Sequence, residues 1–430
     1  MTTSTDPTVT QPLRVAVVAP RYPPDVGGLE NYARWVATSL AADEAFEVVV
    51  ISTHPGWRTR TDQQDGLQVI RLGAGLVLSN SPLNPWWPFQ LRRLFWRHSI
   101  DVVNAHSPVP FLADMAVAAA GRRPVVMTYH SGSMVKGESQ LVDRLLRTYE
   151  RLVLPWLFKR STELVAVSPV AMTHHTGRAV VIPPGVDTVQ FHPPPVGAAR
   201  EPHVLFVGRV ELSSRWKGLH VLIDALPAMV EQDPSVVLEV VGDGDALPEM
   251  KARADALGVA EHVRWHGRLS HSDLAEVLRR VSVTVLPSLT ESESFGMTLI
   301  EAMASGCAVV GSDVGGIPFV IRDGVDGLLV PPGDVEALVT TVMTLIQDPV
   351  LAGRLGQAGR AAAEDTWDWS RQTQLTFDRI RAAAGVKEPV LEPGRRTPAW
   401  RCRRCGAGRI HPRWSRSCRS PSTCTRRRHR

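Results

Sequence analysis

Cysteine is nearly missing from most of this chain of 430 residues: of five, four (Cys402, Cys405, Cys418 and Cys424) crowd near the end, leaving Cys307 alone beside the apolar run Ala308–Val310. That excludes a disulfide framework and fits a reducing compartment. Long apolar runs are missing as well. Even residues 109–120 are broken by Pro110 and Asp114, so no segment reaches the roughly 18 apolar residues of a membrane span. The opening MTTSTDPTVTQPLR has none of the apolar core of a secretory signal. The expected location is cytoplasmic, including the inner face of the plasma membrane. Acid is absent where charge is densest: residues 395–430 hold thirteen Arg and no Asp, Glu or Lys. Removing those thirteen charges from the formal net charge of +5 leaves −8 for residues 1–394. The mildly acidic remainder gives no reason to expect nucleic acid as a ligand of the folded domains.

What is present is an alternation of β-branched runs and helical patterns. Strands are predicted at Leu13–Ala19, Val48–Ser52, Asp101–Ala105 and Pro124–Thr128, with helical spacing at Glu30–Ala42, Leu91–Arg97 and Ala113–Ala120. A second series of strands follows at His203–Val207, Val236–Val241, Val263–His266, Val281–Leu286, Ala308–Gly311 and Leu328–Val330. Such alternation predicts α/β architecture with parallel sheets covered on both faces. Between the two series lies PPGVDTVQFHPPPVGAAR, whose prolines cannot continue a ladder and mark a hinge. The expected organisation is a flexible start (1–12), a doubly wound, Rossmann-like first domain (13–190), a linker (191–202) and a second Rossmann-like domain (203–367). A C-terminal helix (368–385) packs back on the first domain, and a disordered basic tail (386–430) follows. Ligands of such sheets bind beyond the carboxyl ends of the strands, so a cleft between two facing domains is the expected active site.

The segment from Glu293 to Glu301 limits function most sharply. Ser282–Pro287 reads as a buried strand and Gly296–Ser305 as a helix ending before Gly306, which places an acidic loop between them. Were the spacing helical throughout, eight residues would rise about 12 Å, more than the roughly 5 to 9.5 Å that separates paired glycosidase carboxylates. The two glutamates are therefore expected on different parts of one elongated ligand. The helix start adds free N–H groups and a positive dipole end suited to phosphate. Bland alternatives stand beside this: Glu293 as a helix-start charge, Glu301 as a solvated helix position.

Four fragments in register resemble a known family: Pro23-Pro24-Asp25-Val26-Gly27-Gly28-Leu29-Glu30, Val181-Ile182-Pro183-Pro184-Gly185-Val186-Asp187, Gly208-Arg209 followed by Lys217-Gly218, and the Glu293 to Glu301 segment. Over about residues 13–385 the chain is similar to the retaining glycosyltransferases of family 4, with the two-domain GT-B fold. The resemblance implies transfer of a sugar from a nucleoside diphosphate sugar to an acceptor, with no required metal and no cofactor beyond that co-substrate. Three positions depart from the pattern: Pro184 where Asn is common, Asn104 where His is frequent, and Phe319 where Glu is common.

The resemblance also assigns roles. Arg209 and Lys217 meet the negative charge of the leaving diphosphate, with Arg215 a competitor and a solvated basic loop the alternative. Glu293, with the backbone of Ser294, Phe295, Gly296 and Met297, holds hydroxyls of the transferred sugar, and Glu301 accepts from the ribose. His130 contacts the donor sugar, and His106 is the next candidate. Gly27 and Gly28 bring backbone N–H groups near the donor phosphates or the acceptor; their spacing is not G-x-G-x-x-G. Asp243-Gly244-Asp245 reads as a turn, not a metal site. Retention is expected through same-face attack, with a covalent glycosyl–enzyme intermediate as the other route.

GDP-mannose is the first choice of donor over a UDP-hexose such as UDP-glucose, and a lipid or glycan precursor is the expected acceptor. Trp86, Trp87 and Phe89 with Arg92, Arg93 and Arg97 suit either an anionic membrane surface or a core helix with a solvated face. In the tail, Cys402-x-x-Cys405 lacks the second close pair of a zinc site. Two competing functions remain: a nucleotide-sugar epimerase of the same fold, and a non-catalytic binding protein acting through the basic tail.

Overall fold

A computed structural model describes residues 11–25, 27–78, 81–108, 111–135 and 140–386, with two further strands at Trp400–Cys402 and Cys424–Arg426. Those two pair antiparallel, so the tail read from sequence as disordered contains one strand pair; its remainder lies outside the described residues. Two compact units divide the chain. One comprises Met1–Val167, Ala171–Ile182 and Thr373–Val390, the other Ser168–Val170, Pro183–Gln372 and Leu391–Arg430.

The first unit is built on strands β1 (Leu13–Val18), β2 (Phe46–His54), β3 (Arg60–Gln64), β4 (Leu67–Gly73), β7 (Val102–Ser107), β8 (Val125–Tyr129), β9 (Glu163–Ala166) and β10 (Val180–Val181), with a small hairpin of β5 (Leu76–Leu78) and β6 (Ser81–Leu83). The sheet order is β10-β9-β8-β7-β1-β2-β4-β3, parallel except for β3. Val15–Val18 of β1 are fully buried because helices cover both faces, as a continuous apolar run requires. Helices α2 (Trp87–Arg97), α3 (Leu112–Ala119) and α4 (Gln140–Arg160) share one core with Val18, Ile51, Val103 and Met127 through Trp87, Leu91, Leu112, Ala116, Leu154 and Leu157. Helix α1 (Gly28–Ala41) buries Tyr32, Ala33, Val36, Ala37 and Leu40, the one-sided spacing of an amphipathic helix.

The helix Trp369–Ala383 contributes its residues from Thr373 onward to this unit. Trp35 Nε1 donates to Thr373 Oγ1 at 3.1 Å, and the rings of Phe46 and Phe377 lie 5.0 Å apart. From β1 the chain runs outward to β2 and β4, then returns to β7 on the other side of β1. That reversal lies at the carboxyl ends of β1 and β7, where ligands of doubly wound sheets bind.

The second unit repeats the plan with β11 (Glu201–Val207), β12 (Val237–Val241), β13 (Val263–Gly267), β14 (Val281–Leu286), β15 (Ala308–Ser312) and β16 (Leu328–Val330), all parallel in the order β13-β12-β11-β14-β15-β16. Helices α5 (Leu219–Gln232), α6 (Leu247–Ala256) and α10 (Val335–Gln347) cover one face. The other is covered by α7 (His271–Arg280), α8 (Met297–Ala304) and α9 (Ile317–Val320), and α11 (Pro349–Ala362) follows α10. The reversal here falls between β11 and β14.

The chain enters this unit after Ile182, earlier than the boundary at 190 read from the sequence, and the proline-rich stretch is not a free linker. Val186 N donates to Trp367 O at 2.7 Å, Phe191 is buried in the core, and Arg360 Nη1 donates to the carbonyls of Thr188 and Phe191. Prolines prevent a ladder here but not burial of the apolar residues among them. Among the described residues, no single helix is long and apolar enough to cross a membrane.

Candidate active site

In the second unit the acidic loop follows β14 and is fixed by backbone contacts before any side chain acts. Gly218 adopts φ +76°, and a Cβ there would come within 1.9 Å of Pro287 O. Leu289 N donates to Trp216 O at 2.7 Å. The turn carrying Lys217 is thereby stitched to the end of β14. On the far side, Gly316 N donates to Glu293 O at 2.7 Å, and a Cβ on Gly316 would lie 2.0 Å from Ser294 O. Phe295 is buried, with its ring 5.4 Å from Trp367 and 6.3 Å from Phe319. The departure at Phe319 thus adds an aromatic wall under the loop.

These contacts give a direct mutational expectation. Ala at 316 has no room, and forcing the two backbones apart costs about 1–3 kcal/mol. Gly316→Ala therefore lowers turnover by roughly tenfold or more and lowers Tm. The control is Gly353→Ala in α11, where a Cβ meets nothing within 4 Å: turnover stays near wild type and Tm does not fall, since Ala is the better helix former.

The loop brings Glu293 to Lys217. Lys217 Nζ lies 2.8 Å from Glu293 Oε2, with side chains only 17% and 10% exposed, and the ammonium also sits 4.6 Å from the centroid of the Trp216 ring. Glu293 is therefore not a helix-start charge, since α8 begins at Met297 after Gly296 turns the chain at φ +93°. Thr298 Oγ1 donates to Val207 O at 3.4 Å, holding the start of α8 at the end of β11. Ser294, Phe295, Gly296 and Met297 span the interval between the carboxylate and that helix start.

Arg209 follows β11, half exposed and 3.5 Å from Glu211. Arg215 is engaged by Glu249 outside this cluster. Asp243 and Asp245 act as turn residues: Asp245 Oδ1 accepts from Leu212 N at 2.7 Å and Asp243 O from Val210 N at 3.1 Å.

Glu301 is not a solvated helix position. Its side chain is buried at 8% exposure in α8, and among the described residues none donates a hydrogen bond to its carboxylate. Burial lifts its pKa from 4.5 to about 8. A buried carboxyl group with unspent acceptor capacity suits a ligand that brings paired hydroxyl donors.

The first unit holds a second cluster at its own reversal point. His106, at the end of β7, is fully buried, and its Nδ1 lies 3.0 Å from His130 Nε2 just past β8. His106 Nε2 lies 2.8 Å from Asn104 Oδ1, and Asn104 Nδ2 donates to Val126 O at 3.3 Å. The ring of Tyr32 in α1 packs at a steep angle against both imidazoles, with centroids 5.7 and 4.8 Å away. Burial pushes the His106 pKa down to about 3. Burial, and then the neighbouring His106, hold His130 well below its usual value, so both rings are neutral near pH 7.

Gly27 caps α1, and a Cβ there would fall 2.3 Å from the Glu30 carboxylate, whereas a Cβ on Gly28 would meet nothing within 4 Å. The loop before them is held by Arg71 of β4, a residue the sequence did not single out. Its guanidinium donates to Tyr22 O at 3.4 Å, to Pro23 O, and to Asp62 Oδ2 at 2.9 Å. The available signal was one charged residue inside the apolar run LQVIRLG.

Residues 190–362 match the family model for glycosyl transferases group 1, and residues 26–190 that for glycosyltransferase family 4. The chain is 30% identical over 378 residues to the GDP-mannose-dependent alpha-(1-6)-phosphatidylinositol monomannoside mannosyltransferase of Mycolicibacterium smegmatis, covering 81% of this chain and 93% of that protein. It is 35% identical over 312 residues to the phosphatidyl-myo-inositol mannosyltransferase of Mycobacterium leprae, covering 70% and 79%. Among solved structures, sucrose-phosphate synthase from Thermosynechococcus elongatus superposes with a TM-score of 0.71 at 22% identity, covering 87% of this chain and 100% of that one.

Proposed function

This chain belongs to glycosyltransferase family 4, with the GT-B fold, and from that premise we propose that it moves a mannosyl group from GDP-mannose to a lipid or polysaccharide precursor. The transfer keeps the anomeric configuration and needs no metal. One observation carries the reading: the Lys217–Glu293 pair stands at the reversal of the second sheet, and the loop of Glu293 leads into the helix of the buried Glu301, whose carboxylate has no hydrogen-bond donor among the described residues. In this reading Lys217 and Arg209 take up charge on the departing diphosphate. Glu293 and the backbone of residues 294–297 hold sugar hydroxyls, and Glu301 holds the ribose. His130 contacts the donor sugar, and the Gly27-Gly28 turn lies near donor phosphates. Attack on the same face, with a departing phosphate oxygen taking the acceptor proton, accounts for retention without a nucleophile on the protein.

The donor is tested by thermal shift against a panel of nucleotide sugars. A ligand at 100 times its Kd stabilises the folded state by about 2.7 kcal/mol, so GDP-mannose is expected to raise Tm the most. A larger rise with UDP-glucose overturns the choice of donor, and consumption of donor with no acceptor favours an epimerase. Deleting residues 387–430 should leave turnover intact; loss of all ligand binding on that deletion favours the adaptor reading.

A lipid acceptor, and contact with an anionic membrane at the inner face of the plasma membrane, are supported by the layer formed by α2 and α4. Helix α2 buries Trp87, Leu91 and Phe95 and exposes Phe89, Arg92, Arg93 and Trp96 at helical spacing beside exposed Trp86. Helix α4 exposes Leu141, Leu145, Leu152 and Trp156 among Arg144, Arg147 and Arg151. None of these five arginines has an ion-pair partner among the described residues. Aromatic and aliphatic tips with unpaired cations suit a headgroup layer. The protein is expected to sediment with vesicles containing phosphatidylserine and not with phosphatidylcholine alone. Replacing Trp86, Phe89 and Trp96 by Ser should weaken that binding by roughly tenfold or more, and unchanged partition overturns it.

A further inference from the structure

The hydrogen bonds of the first unit's histidine cluster have a direction, and the direction fixes a tautomer. Asn104 is oriented by its own amide, since Nδ2 donates to Val126 O at 3.3 Å and Oδ1 therefore faces His106. An amide oxygen only accepts, so His106 Nε2 carries a proton. A neutral imidazole has one donor and one acceptor, which leaves His106 Nδ1 with a lone pair toward His130 at 3.0 Å. His130 Nε2 must then carry the proton of that bond. Its Nδ1 is left as a bare acceptor at the end of the chain, with no donor to it among the described residues. Burial of both rings, which holds each well below its usual pKa, keeps this chain from being scrambled by protonation.

We infer that Asn104 and His106 are positioning residues, which hold His130 in the Nε2–H form so that its Nδ1 accepts a hydrogen bond from a hydroxyl of the transferred sugar. This rests on the reading that His130 contacts the donor sugar, and it narrows that contact. A bare ring nitrogen attracts an O–H donor and repels a phosphate oxygen, so His130 reads a sugar hydroxyl and takes no part in holding the diphosphate. Asn104, where the family pattern often has His, is suited to this task because its acceptor cannot change into a donor. A His at 104 could present either tautomer to His106 and would leave the direction open. The ring of Tyr32, nearly perpendicular to that of His130 with centroids 4.8 Å apart, packs against the imidazole and limits its rotation.

Long-range proton–nitrogen correlation spectra of the isotopically labelled full-length protein, with His130→Asn used for assignment, read the tautomer directly. Protonated Nε2 and bare Nδ1 at His130 are expected, and a proton on His130 Nδ1 overturns the inference. Kinetics supply a second readout that a merely structural role would not move. Against GDP-mannose and its monodeoxy analogues, the wild type should prefer the full donor at one ring position. Asn104→Asp, whose carboxylate also only accepts, should keep tautomer and preference. Asn104→Leu should yield mixed tautomers and lose roughly tenfold or more of that preference. Full preference retained in Asn104→Leu overturns the positioning role; should that variant not fold, the wild-type spectrum and Asn104→Asp decide. A wild-type spectrum as expected, with a monodeoxy preference indifferent to His130→Asn, overturns the sugar contact while the bond directions stand.

Discussion

Replacing Lys217 with Ala lowers kcat for sugar transfer by at least about tenfold, equivalent to 1.4 kcal/mol or more of transition-state stabilisation, and Glu293→Ala does the same. Both side chains are mostly desolvated and in contact at 2.8 Å. Truncating either one strands the other charge, which costs roughly 3–5 kcal/mol in a fully buried pair and less here, where some solvent reaches both. Stability and turnover are therefore expected to fall together in each single variant. The double variant separates the two effects. If the pair were only structural, Lys217→Met with Glu293→Leu would restore Tm and turnover alike. If Lys217 neutralises the leaving diphosphate and Glu293 holds the sugar, Tm recovers while kcat stays at or below that of the worse single variant. Recovery of kcat in the double variant removes both residues from the chemistry.

Glu301→Gln is expected to make the protein more stable and a poorer binder of its donor. The Glu301 carboxyl titrates near 4.5 when unfolded and at about 8 when folded, so the folded state retains a proton that the unfolded state releases. Its contribution to stability is complete below pH 4.5 and is lost as pH rises through about 8. Gln carries no such charge and should raise Tm by several degrees at pH 8, on the order of 2 kcal/mol, with little gain at pH 5. Binding is predicted to move oppositely. Ribose hydroxyls donating to the ionised form draw its pKa down, so donor binding at pH 7 releases protons into the buffer. Titration calorimetry in two buffers of different ionisation enthalpy measures that number directly. A value near zero for the wild type, or the same value in Glu301→Gln, removes the ribose role.

Most of the sheet strands of the second unit were readable as apolar, β-branched runs because parallel strands buried on both faces leave no polar alternation to confuse them. The first unit was harder. Strand β4 carries Arg71 and β3 reads RTDQQ, an edge strand whose exposed side chains give no apolar period. Glu293 and Lys217 were legible as residues beyond strand ends, because the apolar runs before them stop at Leu286 and Val207; the roles proposed for them rest on the family resemblance. Their pairing was not legible, since it depends on Gly218 and Gly316 passing close under distant carbonyls, a contact between residues far apart in the chain. The hydrogen bonds linking Asn104, His106 and His130 were hidden for the same reason. Residues 104 and 106 share a strand face by alternation, but only the neighbouring strand brings residue 130 to them.

The helix Trp369–Ala383 supplies its first residues to one unit and the remainder to the other, so the body of the second unit, Pro183–Gln372, is nested within the sequence of the first. During synthesis the ribosome delivers Thr373 and Phe377 only after that nested body, residues 183–372, has been made. The portion translated earliest is thus completed last, and until then the partners of Trp35 and Phe46 are missing from the nascent chain. A stall or nonsense codon shortly before residue 373 would release a polypeptide whose later half can close its own core while its earlier half is left for proteases to find.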